Sequence, residues 1–220
     1  MARPIRALLF DFDGVIADSV DIKTEAFREL FKDESRANLE RILKYHQLHG
    51  GVSRTKKFEY FYKNILRRPL TGFLLERLSE QFACLVKEKV VKAPFIDGAE
   101  EFLKKYSKTL DLYIVSGTPH EELTEIILRK GIAGYFVKVY GFPPSKSEII
   151  LSLIDENNYS SQEVYFIGDS LDDAESARRS GIPFIHMSAS RCDKRLFKDE
   201  GLVIAGDFHE LERITGCRRM

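Results

Sequence analysis

Short apolar runs that end in glycine or in small polar residues recur along the chain, and they predict buried β-strands. Their branched and aromatic residues are typical of strands that are covered on both faces. The runs lie at residues 5–10, 110–115, 136–140, 163–167, 182–186 and 202–204.

Apolar residues at helical spacing predict helices between most of these strands. These helices cover residues 99–106, 121–128, 147–154 and 172–180, and the last one stops at Gly181. From about residue 95 onward, strand and helix alternate, which is typical of a parallel sheet with helices on both faces. The expected fold class is therefore α/β, with a Rossmann-like parallel sheet.

The segment 19–93 breaks this alternation because it contains helical patterns alone. A block of helices after the first strand predicts an inserted all-helical subdomain, with hinges near residues 16–18 and 93–97. We therefore expect a catalytic core of residues 1–17 and 94–220 and a helical cap of residues 18–93. The helices predicted within the cap cover residues 24–31, 39–46, 56–66 and 74–89, with a loop near 63–71.

The composition favours a soluble protein and gives no sign of a nucleic-acid or membrane partner. The chain has 34 basic and 34 acidic residues, so nothing electrostatic points to nucleic acid or an anionic membrane as the partner. No stretch approaches the roughly 20 apolar residues of a membrane helix, and the first apolar run is too short for a signal peptide. The scattered cysteines Cys84, Cys192 and Cys217 favour a reducing compartment. We therefore expect a cytoplasmic protein, whose oligomeric state the sequence does not indicate.

Acidic residues directly follow two of the predicted strands, as Asp11 and Asp13 after the first and Asp169 and Asp173 after the fourth. The carboxyl ends of parallel strands meet at one edge of a sheet, so we expect these side chains to converge. One carboxylate can act as a nucleophile and a second can transfer a proton. Carboxylate oxygens also suit magnesium, with Asp169 as the direct ligand. The alternative for the first pair is a polar turn with helix-capping aspartates.

Two further clusters offer phosphate contacts. Ser116 and Gly117 follow the second strand, where a hydroxyl and free backbone amides can hold phosphate oxygens. Lys146 stands at a loop–helix junction, where its ammonium can neutralise a phosphate. The alternatives are a simple helix cap for Ser116 and a solvated side chain for Lys146.

Taken together, the four clusters resemble the motifs of the haloacid dehalogenase superfamily, in its phosphatase branch. The first motif of that superfamily is Asp-x-Asp-x-Thr/Val, and this chain has Asp11-Phe12-Asp13-Gly14-Val15. The second is a Ser or Thr after a strand, the third a lysine, and the fourth Gly-Asp-x-x-x-Asp. They are matched by Ser116, Lys146, Asp169 and Asp173. The resemblance spans residues 5 to about 181.

The resemblance implies a role for each matched residue. Asp11 would form an aspartyl-phosphate, and Asp13 would be the general acid and base. Mg²⁺ would be held by the Asp11 carboxylate, the Asp13 backbone carbonyl and Asp169, with Asp173 in support. Ser116 and Lys146 would hold the phosphoryl group, and the helical insertion would be a mobile cap.

The string His49-Gly50-Gly51-Val52-Ser53-Arg54 is similar to a cap element of β-phosphoglucomutase-like members. There the arginine meets a second anionic group of the substrate, which suits the rigid fork of a guanidinium. The alternative for Arg54 is an exposed arginine near a helix start. Two departures weaken a mutase interpretation. Gly168 stands where the mutase has an acid, and Lys23 stands where it has a histidine.

The sequence thus predicts a Mg²⁺-dependent phosphatase that hydrolyses a small phosphorylated metabolite through an aspartyl-phosphate. The alternatives are a sugar-phosphate mutase of the β-phosphoglucomutase type and a catalytically silent binding protein on the same scaffold. Retention of Asp11, Asp13, Lys146 and Asp169 disfavours the silent protein. The sequence does not name the substrate.

Overall fold

In the computed structural model, which describes residues 4–188 and 202–216, a parallel sheet forms the centre of the molecule. Its six strands run in the order β3-β2-β1-β4-β5-β6, and all neighbouring pairs are parallel. The predicted α/β class is therefore confirmed. The strands are β1 (Ala7–Phe10), β2 (Asp111–Pro119), β3 (Lys138–Phe142), β4 (Val164–Gly168), β5 (Phe184–Met187) and β6 (Val203–Ala205).

The strand order places one crevice at the centre of the sheet. The chain first builds outward from β1 through β2 and β3, and it then returns to the other side of β1 with β4. Ligands of open parallel sheets bind at such a reversal, outside the carboxyl ends of the strands. Residues that follow β1, β2 and β4 therefore border the same crevice.

Several strand boundaries differ from the prediction, and the differences in β2 and β3 have an identifiable cause. β2 continues past residue 115 to Pro119, which is still paired with Phe142, across a local register shift. The prediction ended this strand early because glycine and proline usually stop a strand. β3 starts at Lys138 and not at residue 136, because a 3₁₀ turn at Ala133–Tyr135 comes first and Lys138 pairs with Tyr113.

Nine helices surround the sheet within the described residues. Four lie between β1 and the rest of the core, as the helical patterns of the insertion predict: α1 (Val20–Leu30), α2 (Arg36–Leu48), α3 (Arg54–Tyr60) and α4 (Gly72–Lys92). The other five are α5 (Ala99–Tyr106), α6 (His120–Arg129), α7 (Lys146–Glu156), α8 (Leu171–Ser180) and α9 (Phe208–Thr215).

Residues 56–66 are helical, as predicted, but they do not form one regular α-helix. Helix α3 passes directly into a π-helical turn, Phe61–Leu66, which ends at Arg67 with a φ of 55°. In this arrangement Phe58, Phe61 and Ile65 are all buried. The loop that was predicted near 63–71 therefore begins only after Leu66.

Phenylalanine rings form the interior of the helical insertion. The ring of Phe27 in α1 lies 5.8 Å from Phe58, 5.5 Å from Phe61 and 4.6 Å from Phe82 in α4, between ring centroids. Such distances are typical of packed aromatic pairs. The insertion thus has apolar packing of its own, to which several of its helices contribute.

The two chain segments predicted as hinges lie side by side. The amide of Asp18 donates to the carbonyl of Pro94 at 2.9 Å, and the amide of Ile96 donates to the carbonyl of Ile16 at 3.0 Å. We propose that this backbone pair is where the insertion turns relative to the core, and that the boundary between the two falls near residues 17–18 and 93–94.

Helix α9 was not predicted. It starts at Asp207, whose side chain accepts a hydrogen bond from the amide of Glu210 at 2.7 Å. Its first residue, Phe208, packs against Phe10 and Phe102, with centroids 6.0 and 5.2 Å apart. The capping aspartate was a usable signal for this helix.

The described residues bear on the expectations about membrane helices and about the cysteines. Among the helices described, none combines the length and the apolar character that crossing a bilayer requires. Cys84 is an exposed free thiol in α4, whereas Cys192 and Cys217 lie outside the described residues.

Candidate active site

The predicted chemical residues meet at the carboxyl edge of the central strands, as the strand-end argument predicts. Some follow a strand directly, and others belong to helices that start at the same edge. They are Asp11 after β1, Ser116 and Gly117 in β2, Lys146 at the start of α7, and Asp169 and Asp173 after β4.

Lys146 neutralises two carboxylates in the interior of this edge. Its Nζ lies 2.9 Å from Oδ2 of Asp11 and 2.5 Å from Oδ1 of Asp173, and these side chains are at most 6% exposed. Burial acts to lower the pKa of Lys146, but the charges of Asp11 and Asp173 outweigh it and raise the pKa. Burial also raises the pKa of Asp11 to about 6, although Lys146 opposes the rise. At neutral pH the lysine is therefore cationic and Asp11 is a carboxylate.

Three carboxylates form a set of oxygens that suits a divalent cation. One oxygen each from Asp11, Asp169 and Asp173 lies within 4.8 Å of the others. Burial, together with the charges of Asp173 and Asp11, raises the pKa of Asp169 well above its ordinary value, and no described residue forms an ion pair with it. Such a carboxylate is unfavourable unless a cation joins it. Because hard oxygens are the ligands of Mg²⁺, these residues fit the ion that the resemblance implies.

Gly14 makes room for the carboxylate of Asp169. Its φ of +77° lies in the left-handed region, which glycine adopts without a steric penalty. A Cβ atom at this position would lie 2.2 Å from Oδ2 of Asp169. The glycine after the two aspartates of the first motif is therefore required by the position of the candidate metal ligand.

Asp173 is fixed by the start of α8. Its Oδ2 accepts hydrogen bonds from the amide of Ser170 at 3.2 Å and from the hydroxyl of Ser170 at 2.6 Å, while Oδ1 contacts Lys146. Both oxygens thus have protein donors, which supports the predicted role of orienting Lys146. Asp169 is left with free oxygens for a metal ion.

Three side chains hold the carboxylate of Asp13 in place. Its Oδ1 accepts a hydrogen bond from Ser19 at 2.6 Å, and its Oδ2 contacts the ammonium of Lys23 and the hydroxyl of Thr118, the latter at 3.2 Å. Burial acts to raise the pKa of Asp13, but the charge of Lys23 and these hydrogen bonds together lower it. In this arrangement Asp13 is a carboxylate, the form that accepts a proton.

The cap loop touches the core beside the phosphate-binding residues. Ser116 is buried, and its hydroxyl accepts a hydrogen bond from the amide of Thr118 at 3.2 Å. A Cβ atom at Gly117 would lie 2.7 Å from the carbonyl oxygen of Gly51. The amide of Gly51 donates to the hydroxyl of Ser170 at 3.2 Å. Small residues on both sides thus permit a close contact between insertion and core.

Arg54 begins α3 but is not the exposed arginine of the alternative interpretation. Its Nη2 lies 2.7 Å from Oε2 of Glu122 in α6, and its guanidinium carbon lies 5.5 Å from the centroid of the Phe82 ring. Arg54 lines the same cleft as Asp11, a position compatible with contact to the substrate. Its role as a substrate ligand stays a prediction. His49, from the same string, has Nδ1 3.5 Å from Oδ1 of Asp172.

Sequence reasoning did not assign a site role to three residues that line the cleft. Lys23 was noted as a departure from the mutase pattern, and His46 and Lys57 were not singled out. Helical spacing indicates that His46 and Lys57 belong to helices but not that both are buried against the cleft. The cleft has a volume of about 430 Å³, counting its open mouth.

The comparisons with known proteins agree with this geometry. The model of the haloacid dehalogenase-like hydrolase family matches residues 8–187. A phosphorylated carbohydrates phosphatase of Thermotoga maritima is 25% identical over 187 residues, which cover 83% of this chain and 84% of the relative. A phosphoglycolate phosphatase of Synechococcus elongatus is 24% identical over 182 residues, or 81% of each chain.

The fold is also shared with solved structures. A predicted phosphatase from Clostridium acetobutylicum superposes with a TM-score of 0.76 at 19% identity, over 96% of this chain and 98% of the other. The family model covers most of the sequence, and it includes every residue that the structure gathers around Asp11. The chain therefore belongs to the haloacid dehalogenase-like hydrolase family.

Proposed function

We propose that this protein is a Mg²⁺-dependent phosphatase that hydrolyses a small phosphomonoester through an aspartyl-phosphate on Asp11. The observation that carries the proposal is the surroundings of Asp11. Its carboxylate is buried at the crevice of the sheet, with Lys146 2.9 Å away and with Asp169 close enough to share a cation. A carboxylate so placed is a nucleophile beside groups that offset the charge of an incoming phosphate.

In the first step, an Asp11 oxygen attacks phosphorus, and the bond from phosphorus to the ester oxygen breaks. The departing alkoxide takes a proton from the Asp13 carboxyl group, so the alcohol leaves neutral. Contact with Lys23 disfavours the protonated form of Asp13, and this step therefore requires the contact to loosen.

In the second step, water attacks phosphorus and the bond from Asp11 to phosphorus breaks. The Asp13 carboxylate takes the proton from water, and inorganic phosphate and the free Asp11 carboxylate are regenerated. The hydrogen bonds from Ser19 and Thr118 favour the ionised form that this step needs.

The Asp11 carboxylate, the Asp13 carbonyl and Asp169 would hold Mg²⁺. When bound, the ion supplies positive charge next to the transferring phosphoryl group. Lys146 adds a second positive charge from the protein itself, and Ser116 offers a hydroxyl at the end of β2.

The class of substrate is a small phosphorylated metabolite. The two curated relatives are named for phosphorylated carbohydrates and for phosphoglycolate, which supports the same class for this chain. Lys23 occupies the position of the mutase histidine and contacts Asp13, so a plain phosphatase is favoured over a mutase.

The test is a panel of phosphate esters, assayed for free phosphate with Mg²⁺ and again after addition of a chelator. Release of phosphate from a generic aryl phosphate and from at least one metabolite, abolished by the chelator, is the expected result. Conversion of one sugar phosphate into its isomer with little free phosphate would instead identify a mutase. Absence of any turnover with Mg²⁺ would refute the proposal.

A further inference from the structure

Lys57 is a buried lysine in the wall of the cleft. It lies in α3, one turn after Arg54, and it is 3% exposed. It lines the same cleft as Asp11, Ser116 and Thr118, next to the proposed reaction centre. Neither proton transfer nor phosphoryl transfer in the proposed mechanism uses it.

The hydrogen bonds of Lys57 are to neutral acceptors, and its ammonium also lies 6.0 Å from the centroid of the Phe27 ring. Its Nζ lies 3.0 Å from Nδ1 of His46 and donates to the carbonyl oxygen of Gly50 at 3.2 Å. No described carboxylate lies within ion-pair distance of this nitrogen. A buried ammonium without a negative partner destabilises the fold, and a bound anion would offset this penalty.

The other cations in this cleft and beside it already have negative partners. Lys146 contacts Asp11 and Asp173, and Lys23 contacts Asp13. Arg54 is paired with Glu122 at 2.7 Å, between side chains that are 11% and 9% exposed. Within the part of the chain that the structure describes, Lys57 is thus the lysine or arginine of this cleft whose charge is unbalanced.

His46 adds an unused donor beside Lys57. Because its Nδ1 accepts from the lysine ammonium, the ring proton belongs on Nε2. Nε2 is buried and has no hydrogen-bond partner among the described residues. Burial and the nearby charges of Lys57 and Lys23 lower the pKa of His46 to about 2, so the ring is neutral. An ammonium without a negative partner and a ring N–H without an acceptor therefore belong to neighbouring residues that line the cleft.

We infer that Lys57 binds a second anionic group of the substrate, a carboxylate or a second phosphate, while Asp11 and Lys146 engage the phosphate ester. This inference rests on the proposed function and narrows its substrate class to phosphomonoesters that carry a further negative group. An anion at this place gives the ammonium the partner that the protein does not supply. It also gives the Nε2–H of His46 an acceptor.

Matched pairs of substrates test this inference. Phosphoglycolate and ethyl phosphate differ in a carboxylate, and fructose 1,6-bisphosphate and fructose 6-phosphate differ in a phosphate. In the presence of Mg²⁺, we expect kcat/KM to be higher for the substrate with the additional negative group in at least one of the two pairs. Which pair shows the preference identifies the anion as carboxylate or phosphate.

Three variants separate the charge of Lys57 from its packing. Lys57→Met keeps the length of the side chain and removes the charge, and it should reduce the preference by about ten- to one-hundredfold, the loss of a hydrogen bond to a charged group. Lys57→Gln serves the same purpose if the methionine variant does not fold. Lys57→Arg should retain most of the preference. The control Lys56→Met removes the adjacent, exposed lysine and should leave the preference unchanged.

The outcomes are distinguishable from failure of the proposed function. If the unmodified protein hydrolyses generic esters but shows no preference for the additional negative group in either pair, the inference is wrong while the phosphatase proposal stands. If it has a preference that Lys57→Met and Lys57→Gln both retain, the anion is bound elsewhere. If no ester is hydrolysed with Mg²⁺, the proposed function fails and the inference fails with it.

Discussion

The ammonium nitrogen of Lys146 lies 2.9 Å from Oδ2 of Asp11, although one residue follows the first strand and the other begins α7. This contact places a positive charge beside the oxygens that would attack a phosphate. Without it, a carboxylate and a phosphate approaching each other would repel in an environment that screens charge poorly.

Lys146→Met is expected to lower kcat on a generic aryl phosphate by at least about one-hundredfold, because it removes the charge that stabilises the transferring phosphoryl group. Steady-state kinetics with Mg²⁺ measure this, and circular dichroism establishes that the variant is folded. The control Lys44→Met removes an exposed lysine and should retain normal kcat. A kcat for Lys146→Met within a few-fold of the unmodified protein would contradict this role.

Gly14→Ala is expected to weaken Mg²⁺ binding. The new Cβ would lie 2.2 Å from Oδ2 of Asp169, at a backbone φ of +77°, so the carboxylate or the loop must move. The Mg²⁺ concentration that gives half-maximal activity should rise by about tenfold or more, the scale of effect found when a residue that supports metal ligands is changed. Gly134→Ala is the control, because no atom lies within 4 Å of the added carbon. An equal Mg²⁺ requirement in both variants would exclude this account of Gly14.

Gly117→Ala tests the contact between cap loop and core. A methyl group there would lie 2.7 Å from the carbonyl oxygen of Gly51, so the loop cannot reach its present position. We expect a lower kcat/KM, since closure of the cleft excludes water and positions the substrate. The matched control is Gly72→Ala, where the added carbon meets no neighbour. Unaltered kinetics of Gly117→Ala would show that the contact is dispensable for turnover.

Lys57→Met is expected to stabilise the fold near neutral pH. Burial, followed by the charge of Lys23, lowers the pKa of Lys57 from 10.5 to about 7 in the folded protein. Between pH 7 and pH 10.5, Lys57 is protonated in the unfolded chain but not in the folded chain. The free energy of unfolding therefore rises with pH over this range. Below this window the folded protein carries the unpaired charge, and its stability is lowest.

The melting temperature measures this effect. At pH 6.5 the variant should melt at least about 2 °C above the unmodified protein, the shift that corresponds to roughly 1 kcal/mol in a chain of this size. The difference should shrink by pH 9, while Lys56→Met should show no such dependence. A lower melting temperature at pH 6.5, or a difference that does not change with pH, would contradict an unpaired buried charge.

The parallel sheet and the convergence of Asp11, Lys146 and Asp169 followed from the sequence by one argument. Each residue comes after an apolar run or at the start of the next helix, and parallel strands end at a common edge. The amino-acid sequence was enough for this argument, because the end of a strand can be recognised from the residues next to it in the sequence.

The pairing of Asp13 with Lys23 and the burial of Lys57 could not be predicted in the same way. Helical spacing shows which residues share a helix face, but not which face of the insertion meets the core. Lys57 is followed by the buried Phe58 and preceded by the exposed Lys56. Its neighbours in the sequence therefore do not indicate whether Lys57 itself is buried or exposed. Only the packing of α2 and α3 brings Lys57 next to His46.

The most direct test of the central claim is the activity of Asp11→Asn with Mg²⁺ on a generic aryl phosphate. The amide keeps the shape of the carboxylate but is a far weaker nucleophile, so we expect nearly complete loss of phosphate release in a folded protein. Asp155→Asn, an exposed position on α7, should retain full activity. Full Mg²⁺-dependent phosphate release by Asp11→Asn would contradict the assignment of Asp11 as the nucleophile.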